Sequence, residues 1–186
     1  RAALRAGWQA AKDGRVVSGG STLTMQVARL LEESGTGKMG GKLRQMRVAL
    51  ALEQRLSKDQ ILQLYLLLAP YGGNLEGVRA ASLAYFGKEP KRLTPAEAAL
   101  LVAIPQAPEA RRPDRHPGRA ATARGRVLDR ALRDGLISEE EARQTAGELV
   151  PEARRPVPML APHLADRALA LAPGLPRHQL TLDAGL

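Results

Sequence analysis

A stretch of small, hydroxyl and basic residues near the beginning of the chain has the composition of an anion-binding site. Residues 19–29 read Gly-Gly-Ser-Thr-Leu-Thr-Met-Gln-Val-Ala-Arg. Two glycines followed by hydroxyl residues predict a turn and then a helix N-terminus, whose free N–H groups and positive dipole end attract phosphate. Thr22, Gln26 and Arg29 are spaced by four and three, so a hydroxyl, an amide and a guanidinium share one face. An N-capped surface helix with a solvated polar face is an equally good interpretation.

The same helix is amphipathic, because its apolar residues fall on the side opposite the polar face: Leu23, Val27, Leu30 and Leu31. No Gly-Lys-Ser/Thr follows the glycines at the required spacing, so the stretch is not a nucleotide P-loop.

A second basic helix start follows a second glycine pair, Gly40-Gly41. Lys42, Arg44 and Arg47 cluster there. Cations at this place would complement a diphosphate bound at the end of the first site. A solvated basic face is the alternative.

Two glutamates are the acids to consider for catalysis. Glu53 lies mid-helix among apolar neighbours, where an uncompensated carboxylate is costly, so we expect it to pair with an arginine such as Arg55 or Arg47. Glu76 follows the glycine-rich loop and could face a cleft. Glycan hydrolysis wants two carboxylates about 5–10 Å apart. Nothing in the sequence places these two together.

Composition narrows the class of protein. The chain has 186 residues, a net charge of +9, 44% hydrophobic and only 3% aromatic residues. Packed helices with a core of mostly Leu, Ala and Val are therefore expected rather than a sandwich or barrel. There is no cysteine, and three scattered histidines have no metal-ligand spacing. No apolar run approaches the ~18 residues of a membrane span. The positive charge favours an anionic partner.

Helix signals recur along the chain and predict an all-α fold. The predicted helices are 2–12, 23–33, 42–56, 57–68, 75–85, 94–104, 118–134, one capped at Ser138, and 162–171. Capping boxes are expected at Ser57 and Thr94, the latter with proline at the first helical position. Residues 1–150 are predicted to form one domain. Residues 151–186 are predicted to be a proline-rich linker, with a possible strand at 179–183 that begins a further segment.

Four ordered motifs resemble those of the family 51 glycosyltransferases, the peptidoglycan polymerase domain of class A penicillin-binding proteins. Residues 19–29, 42–53, 64–85 and 95–108 are similar to that family's second to fifth motifs. The resemblance runs from residue 1 to about 146, and residues 181–186 resemble the segment that enters the transpeptidase half. The sequences Lys42-Leu43-Arg44-Gln45 and Ala69-Pro70-Tyr71-Gly72-Gly73 point to the type 1C branch.

The resemblance implies a lysozyme-like helical fold and polymerisation of lipid II at the outer, periplasmic face of the bacterial cytoplasmic membrane. The partners it implies are lipid II, the growing glycan strand, the membrane surface and moenomycin-type inhibitors. It also allows a divalent cation, Mg or Mn, although no other cofactor is evident. By motif position the residues that would bind the diphosphate and the nearby sugar are Ser21, Thr24, Gln26, Arg29, Lys42 and Gln45.

The chain departs from the family pattern at several positions. The family's first motif, which carries the catalytic base, has no match here and would lie upstream of Arg1. The membrane anchor that the resemblance implies is also absent from this chain. Gln45 stands where many members have a second functional glutamate, and an amide cannot act as a base. Met25, Arg29 and Leu67 replace a glutamine, a lysine and an asparagine.

Two other functions remain open at this point. The charge alone allows a basic helical module that binds nucleic acid, but stacking aromatics and recognition motifs are nearly absent, so no nucleic acid is expected. A lysozyme-like glycan hydrolase would need the carboxylate pair described above.

Overall fold

The computed structural model describes residues 22–32, 39–156, 162–175 and 178. Within these residues the structure is mainly helical and contains no strand, so the predicted fold class is confirmed. The predicted helix 2–12 and strand 179–183 lie outside the described residues. The described residues form eight α-helices: α1 (Leu23–Glu32), α2 (Met39–Arg55), α3 (Lys58–Leu68), α4 (Val78–Phe86), α5 (Pro95–Ala103), α6 (Pro117–Arg133), α7 (Glu139–Ala146) and α8 (Pro162–Leu171). Two short 3₁₀ turns, Pro90–Arg92 and Ile104–Gln106, flank α5.

Local capping determines where three of the helices begin. The hydroxyls of Ser57, Thr94 and Ser138 each accept the backbone N–H three residues on, and the side chain at that third position accepts the cap's own N–H. These reciprocal bonds satisfy two otherwise free N–H groups at each helix start. The boxes predicted at Ser57 and Thr94 are confirmed.

Helix α4 begins at Val78, three residues later than the sequence predicts. The backbone before it folds into a tight loop, in which Tyr71 N–H donates to Leu75 O at 2.9 Å and Gly77 N–H donates to Ala69 O at 2.9 Å. Gly77 has φ +82°, and a Cβ there would lie 2.7 Å from Leu67 O. Only glycine accepts that conformation and that approach readily, so the helix begins after it.

The core lies between the end of α3, the loop that follows, and helices α4, α5 and α6. Its buried residues are Ala69, Tyr71, Ala81, Tyr85, Phe86, Leu100, Leu101, Ile104 and Ala120. Alanines on facing helices allow close approach, as expected. The core is mostly aliphatic, although Tyr71 and Tyr85 are its largest fully buried side chains. Tyr85 Oη donates to Tyr71 O at 2.9 Å, which satisfies the buried hydroxyl.

The segment after α7, residues 147–156, runs back across this core. Glu148 accepts a hydrogen bond from Thr94 Oγ1 at 2.8 Å, Val150 packs against the core, and Arg155 N–H donates to Ala84 O at 2.7 Å. Residues 151–156 therefore contact the helical body, although the division at residue 150 stays a prediction. None of the described helices is long and apolar enough to span a membrane.

We expect Thr94→Ala to lower the free energy of unfolding by about 1–2 kcal/mol, because it removes a helix cap together with the bond to Glu148. Urea unfolding followed by circular dichroism measures the change. Thr94→Ser should keep most of the stability, and Ser57→Ala, which removes a cap without a distant partner, should cost less than Thr94→Ala. Equal losses in the two alanine variants would contradict this account of Thr94.

Candidate functional site

The N-terminus of α1 is capped by a hydroxyl, as its sequence suggests. Thr22 Oγ1 accepts the N–H of Met25 at 3.2 Å, and Thr22 O accepts the N–H of Gln26 at 3.1 Å. The side-chain and backbone oxygens of Thr22 therefore accept hydrogen bonds from the first turn of α1. Thr22 acts as a helix cap rather than as part of a polar surface face. Ser21 and the glycine pair before it lie outside the described residues.

Thr24 links three helices at this end of α1. Its side chain is only 3% exposed, and its hydroxyl donates to Glu53 Oε1 of α2 at 2.6 Å. Lys58 at the beginning of α3 donates to the same oxygen at 3.0 Å. The Thr24 hydrogen bond, and then the bond and charge of Lys58, hold the pKa of Glu53 below its usual value. The expected arginine partner of Glu53 is wrong, since Thr24 and Lys58 fill that role.

A second tie joins the other ends of α1 and α2. Arg44 Nε donates to Glu32 Oε1 at 2.8 Å, with Glu32 largely buried and Arg44 exposed. Since Thr24 meets Glu53 and Glu32 meets Arg44, the two helices run antiparallel. At 1.5 Å per residue, Lys42 lies about 16 Å along the axis from the Thr24 end of this hairpin. The starts of α1 and α2 are therefore at opposite ends of the hairpin rather than side by side. Helix α2 begins at Met39, so Gly40 and Gly41 lie in its first turn, and the predicted start at Lys42 is wrong.

The structure sorts the predicted substrate-binding residues by burial. Thr24 and Gln45 are buried, at 3% and 8% exposure, and Thr24 shares its face of α1 with Val27 and Ala28. Gln26 and Arg29 are half-buried and Lys42 is exposed. The surface available to a ligand therefore comes from Gln26, Arg29 and Lys42, whereas Thr24 braces the hairpin from inside. Leu31, expected on the apolar side, is 49% exposed.

Arg29 faces helix α3. Its charge acts to lower the pKa of Tyr65, although burial dominates and raises that pKa overall. The next residue, Leu30, lines a cavity of about 290 Å³ whose other walls come from the end of α3 and the following loop: Leu68, Pro70, Gly73, Asn74, Leu75 and Glu76. Glu76 thus lines a cavity beside α1, as its position after the glycine-rich loop suggested.

Glycines allow the loop of this cavity to pack against a buried arginine. Gly72 has φ +95°, and a Cβ there would lie 2.4 Å from Arg112 Cγ. Arg112 forms a bidentate pair with Asp114, at 3.2 Å from Nε and 2.6 Å from Nη2. These bonds hold the pKa of Asp114 below its usual value against the opposing effect of burial. Glu109 Oε1 accepts the N–H of Gly73 at 2.5 Å.

Arg154 fastens the same loop from the returning C-terminal segment. Its Nη2 donates to Gly72 O at 2.8 Å and its Nη1 to Asn74 Oδ1 at 3.0 Å. Its Nε lies 3.4 Å from Asp114 Oδ2, and its guanidinium sits 5.7 Å from the Tyr85 ring centroid. One arginine therefore ties loop, carboxylate and core aromatic together.

Sequence reasoning missed Arg112 and Arg154. Both lie in proline-rich stretches that were expected to be a loop and a linker. The available signal was the Gly72-Gly73 pair, because adjacent glycines often mark a backbone that something else approaches closely. The pattern does not say which distant residue makes that approach.

Replacing Gly72 tests the packing of this loop. We expect Gly72→Ala to cost about 2–4 kcal/mol, from a strained positive φ and the collision with Arg112. Gly125→Ala is the matched control, because Gly125 lies inside α6 with no atom near an added Cβ. That change should be neutral or stabilise by up to about 1 kcal/mol. Similar urea midpoints for the two variants would contradict the close packing.

Replacing Thr24 tests the brace inside the hairpin. In Thr24→Val the pKa of Glu53 should rise toward its ordinary value near 4.3, as measured by carbon NMR of the carboxyl group. A lowered folded-state pKa stabilises the protein above the unfolded-state pKa, and this contribution is lost as the pH falls through the folded-state pKa. The stability gap between wild type and Thr24→Val should therefore shrink in acid. Thr122→Val, whose hydroxyl bonds only to Gly118 O among the described residues, should leave the pKa of Glu53 unchanged.

Comparisons with known proteins agree with the motif resemblance. A family model described as Transglycosylase matches residues 1–132. Penicillin-binding protein 1C of Escherichia coli is 50% identical over 182 residues, covering 98% of this chain and 23% of that protein. Penicillin-binding protein 1A of Pseudomonas aeruginosa is 34% identical over 169 residues, covering 90% of this chain and 21% of its own length. Penicillin-binding protein 1A of Aquifex aeolicus is 40% identical over 128 residues, covering 69% of this chain and 18% of that protein.

This chain therefore spans a quarter or less of each of these relatives. The family model covers well over half of the chain, and it matches the region that holds the α1–α2 hairpin and the glycine-rich loop. The chain belongs to the transglycosylase family of class A penicillin-binding proteins.

Proposed function

We propose that this chain is the lipid II-binding part of a peptidoglycan glycosyltransferase that, in the intact protein, extends glycan strands during bacterial cell-wall synthesis. The observation that carries the proposal is the antiparallel hairpin of α1 and α2, which holds the family's second and third motifs. Thr24–Glu53 at one end and Glu32–Arg44 at the other fix its length and register.

The spacing of charge along this hairpin suits an extended substrate. Arg29 and Lys42 lie about 8 Å apart along the axis, and the capped start of α1 lies about as far beyond Arg29. A diphosphate joined to a sugar is long enough to contact all of these positions, whereas a single phosphate is not. Gln26, half-buried on α1, is one turn from Arg29 and would hydrogen bond to the sugar or to a phosphate oxygen.

The chemistry that this arrangement supports is displacement at an anomeric carbon. The acceptor hydroxyl attacks that carbon, and the bond to the lipid diphosphate breaks with its electron pair leaving on the phosphate oxygen. Attack from the face opposite the leaving group inverts the configuration. Cations and the α1 N-terminus stabilise the charge that develops on the diphosphate, and such electrostatic stabilisation is often the largest single contribution.

No described carboxylate is assigned as the general base. Glu53 is held ionised by Thr24 and Lys58, and Gln45 is an amide. Hydrolysis with a pair of carboxylates is not favoured, because Glu53 is committed to the hairpin brace while Glu76 lines the separate loop cavity. Within the described residues no group of three or more His, Cys, Asp or Glu could hold a metal ion.

An exposed face of α2 supports a position at the outer surface of the cytoplasmic membrane. Leu43, Met46 and Leu50 are spaced by three and four and are 61%, 48% and 61% exposed. Exposed cations, Lys42 and Arg47, flank them. An apolar stripe bordered by basic residues is the pattern of a helix that lies in a membrane interface. This surface would keep the hairpin next to its lipid-linked substrate.

Binding of a fluorescent moenomycin-type phosphoglycolipid, followed by polarisation, tests the proposal. Arg29→Ala should weaken binding by about tenfold or more, because one charge-assisted contact to phosphate is lost. Arg119→Ala is the matched control, since it removes the same charge from an exposed position on α6. It should bind as the wild type does. A folded wild type that does not bind, or equal losses in both variants, would overturn the proposal.

A further inference from the structure

A large cavity among the described residues lies outside the α1–α2 hairpin. It has a volume of about 770 Å³ and lies between the end of α3, helix α4 and the returning C-terminal segment. Most of its wall is apolar: Leu67, Leu75, Val78, Ala80, Leu83 and Pro156. This size and lining, with a few charged groups at the edge, are those of a small-molecule pocket.

The charged groups at the edge are not equivalent. Arg79 is paired with Glu89 through bonds of 3.0 Å and 2.5 Å, so its charge is already compensated. Arg155 has no ion pair with any described residue, although its backbone N–H anchors the segment to Ala84 O at 2.7 Å. Its side chain lies along Gly87, where an added Cβ would come within 2.9 Å of Arg155 Cδ. Arg155 is thus a positioned cation at the edge of an apolar cavity.

Leu67 makes the cavity more apolar than the motif resemblance leads us to expect. It stands where that resemblance has an asparagine, and its side chain is 64% exposed while lining the cavity. It adds to the apolar wall formed by Leu75, Val78 and Leu83, which an apolar ligand would cover.

We propose that this cavity binds an amphiphile with one long apolar chain and an anionic head group. The chain lies against Leu67, Val78 and Leu83, and the head group pairs with Arg155. The negative charge of Glu76 on the loop wall would repel the anionic head group. We therefore expect the head group to lie at Arg155, away from Glu76. The proposal does not depend on the glycosyltransferase function, because the cavity and the hairpin share none of their charged residues.

Titration with dodecyl phosphate at monomeric concentrations, followed by calorimetry, tests this site. Laurate distinguishes a carboxylate from a phosphate head group, and dodecanol tests the need for charge. Wild type should bind both anions, and dodecanol at least about tenfold more weakly. Arg155→Ala should weaken dodecyl phosphate binding by about tenfold, and Glu76→Gln should tighten it.

Filling the cavity locates the ligand. Ala80 is exposed on α4, so Ala80→Phe can occupy the cavity without disturbing the core, and it should abolish binding. Val102→Phe, at a 67% exposed position on α5, is the matched control and should bind normally. Absence of binding by wild type, equal binding of dodecanol, or binding unaffected by Ala80→Phe would overturn the proposal. Loss in Arg29→Ala with retention in Ala80→Phe would place the amphiphile on the hairpin instead and would also overturn it.

Discussion

The carboxylate of Asp114, held between the guanidinium groups of Arg112 and Arg154, is the interaction on which the middle of this structure depends. Paired charges remain favourable in a largely buried place when hydrogen bonds support them. Here Gly72 O and Asn74 accept from the two Nη atoms of Arg154, while its Nε lies 3.4 Å from Asp114 Oδ2 without a hydrogen bond. The network positions the loop after α3, and that loop contributes walls to both cavities. It also fastens the returning segment to the body of the domain.

The α1–α2 hairpin depends on a smaller set of contacts. Thr24 and Glu53 fix one end and Glu32 and Arg44 fix the other, so the helices cannot slide without breaking both. Two of the residues that the motif resemblance assigns to substrate binding, Thr24 and Gln45, are buried. Their identity is then explained by the register of the hairpin, which determines where the accessible residues Gln26, Arg29 and Lys42 are presented. On α1 the bracing residue Thr24 is thus buried, while Gln26 and Arg29 remain partly accessible.

Much of the helical structure follows from local chemistry. Ser57 and Thr94 cap their helices as expected, because a hydroxyl followed three residues later by Gln or Glu satisfies the free N–H groups within one turn of chain. The apolar spacing predicts a start of α4 at Leu75, three residues early. Gly77 has a positive φ and lies close to Leu67 O, and this packing, which the spacing does not reveal, delays the helix to Val78. The core is mostly aliphatic, as composition predicts, and its two buried tyrosines fill space that alanines leave.

The sequence by itself determined the mainly helical fold, the three capped helix starts and the family, since these depend on short-range patterns and ordered motifs. Only the tertiary structure decided that the starts of α1 and α2 lie at opposite ends of a hairpin, that Glu53 pairs with Thr24 and Lys58, and that Arg154 reaches back 80 residues to Asn74. The physical reason is the sequence separation between the interacting residues. A cap or a helical face is set by neighbours within four residues, whereas a buried ion pair is set by whichever distant side chains the packed core brings together.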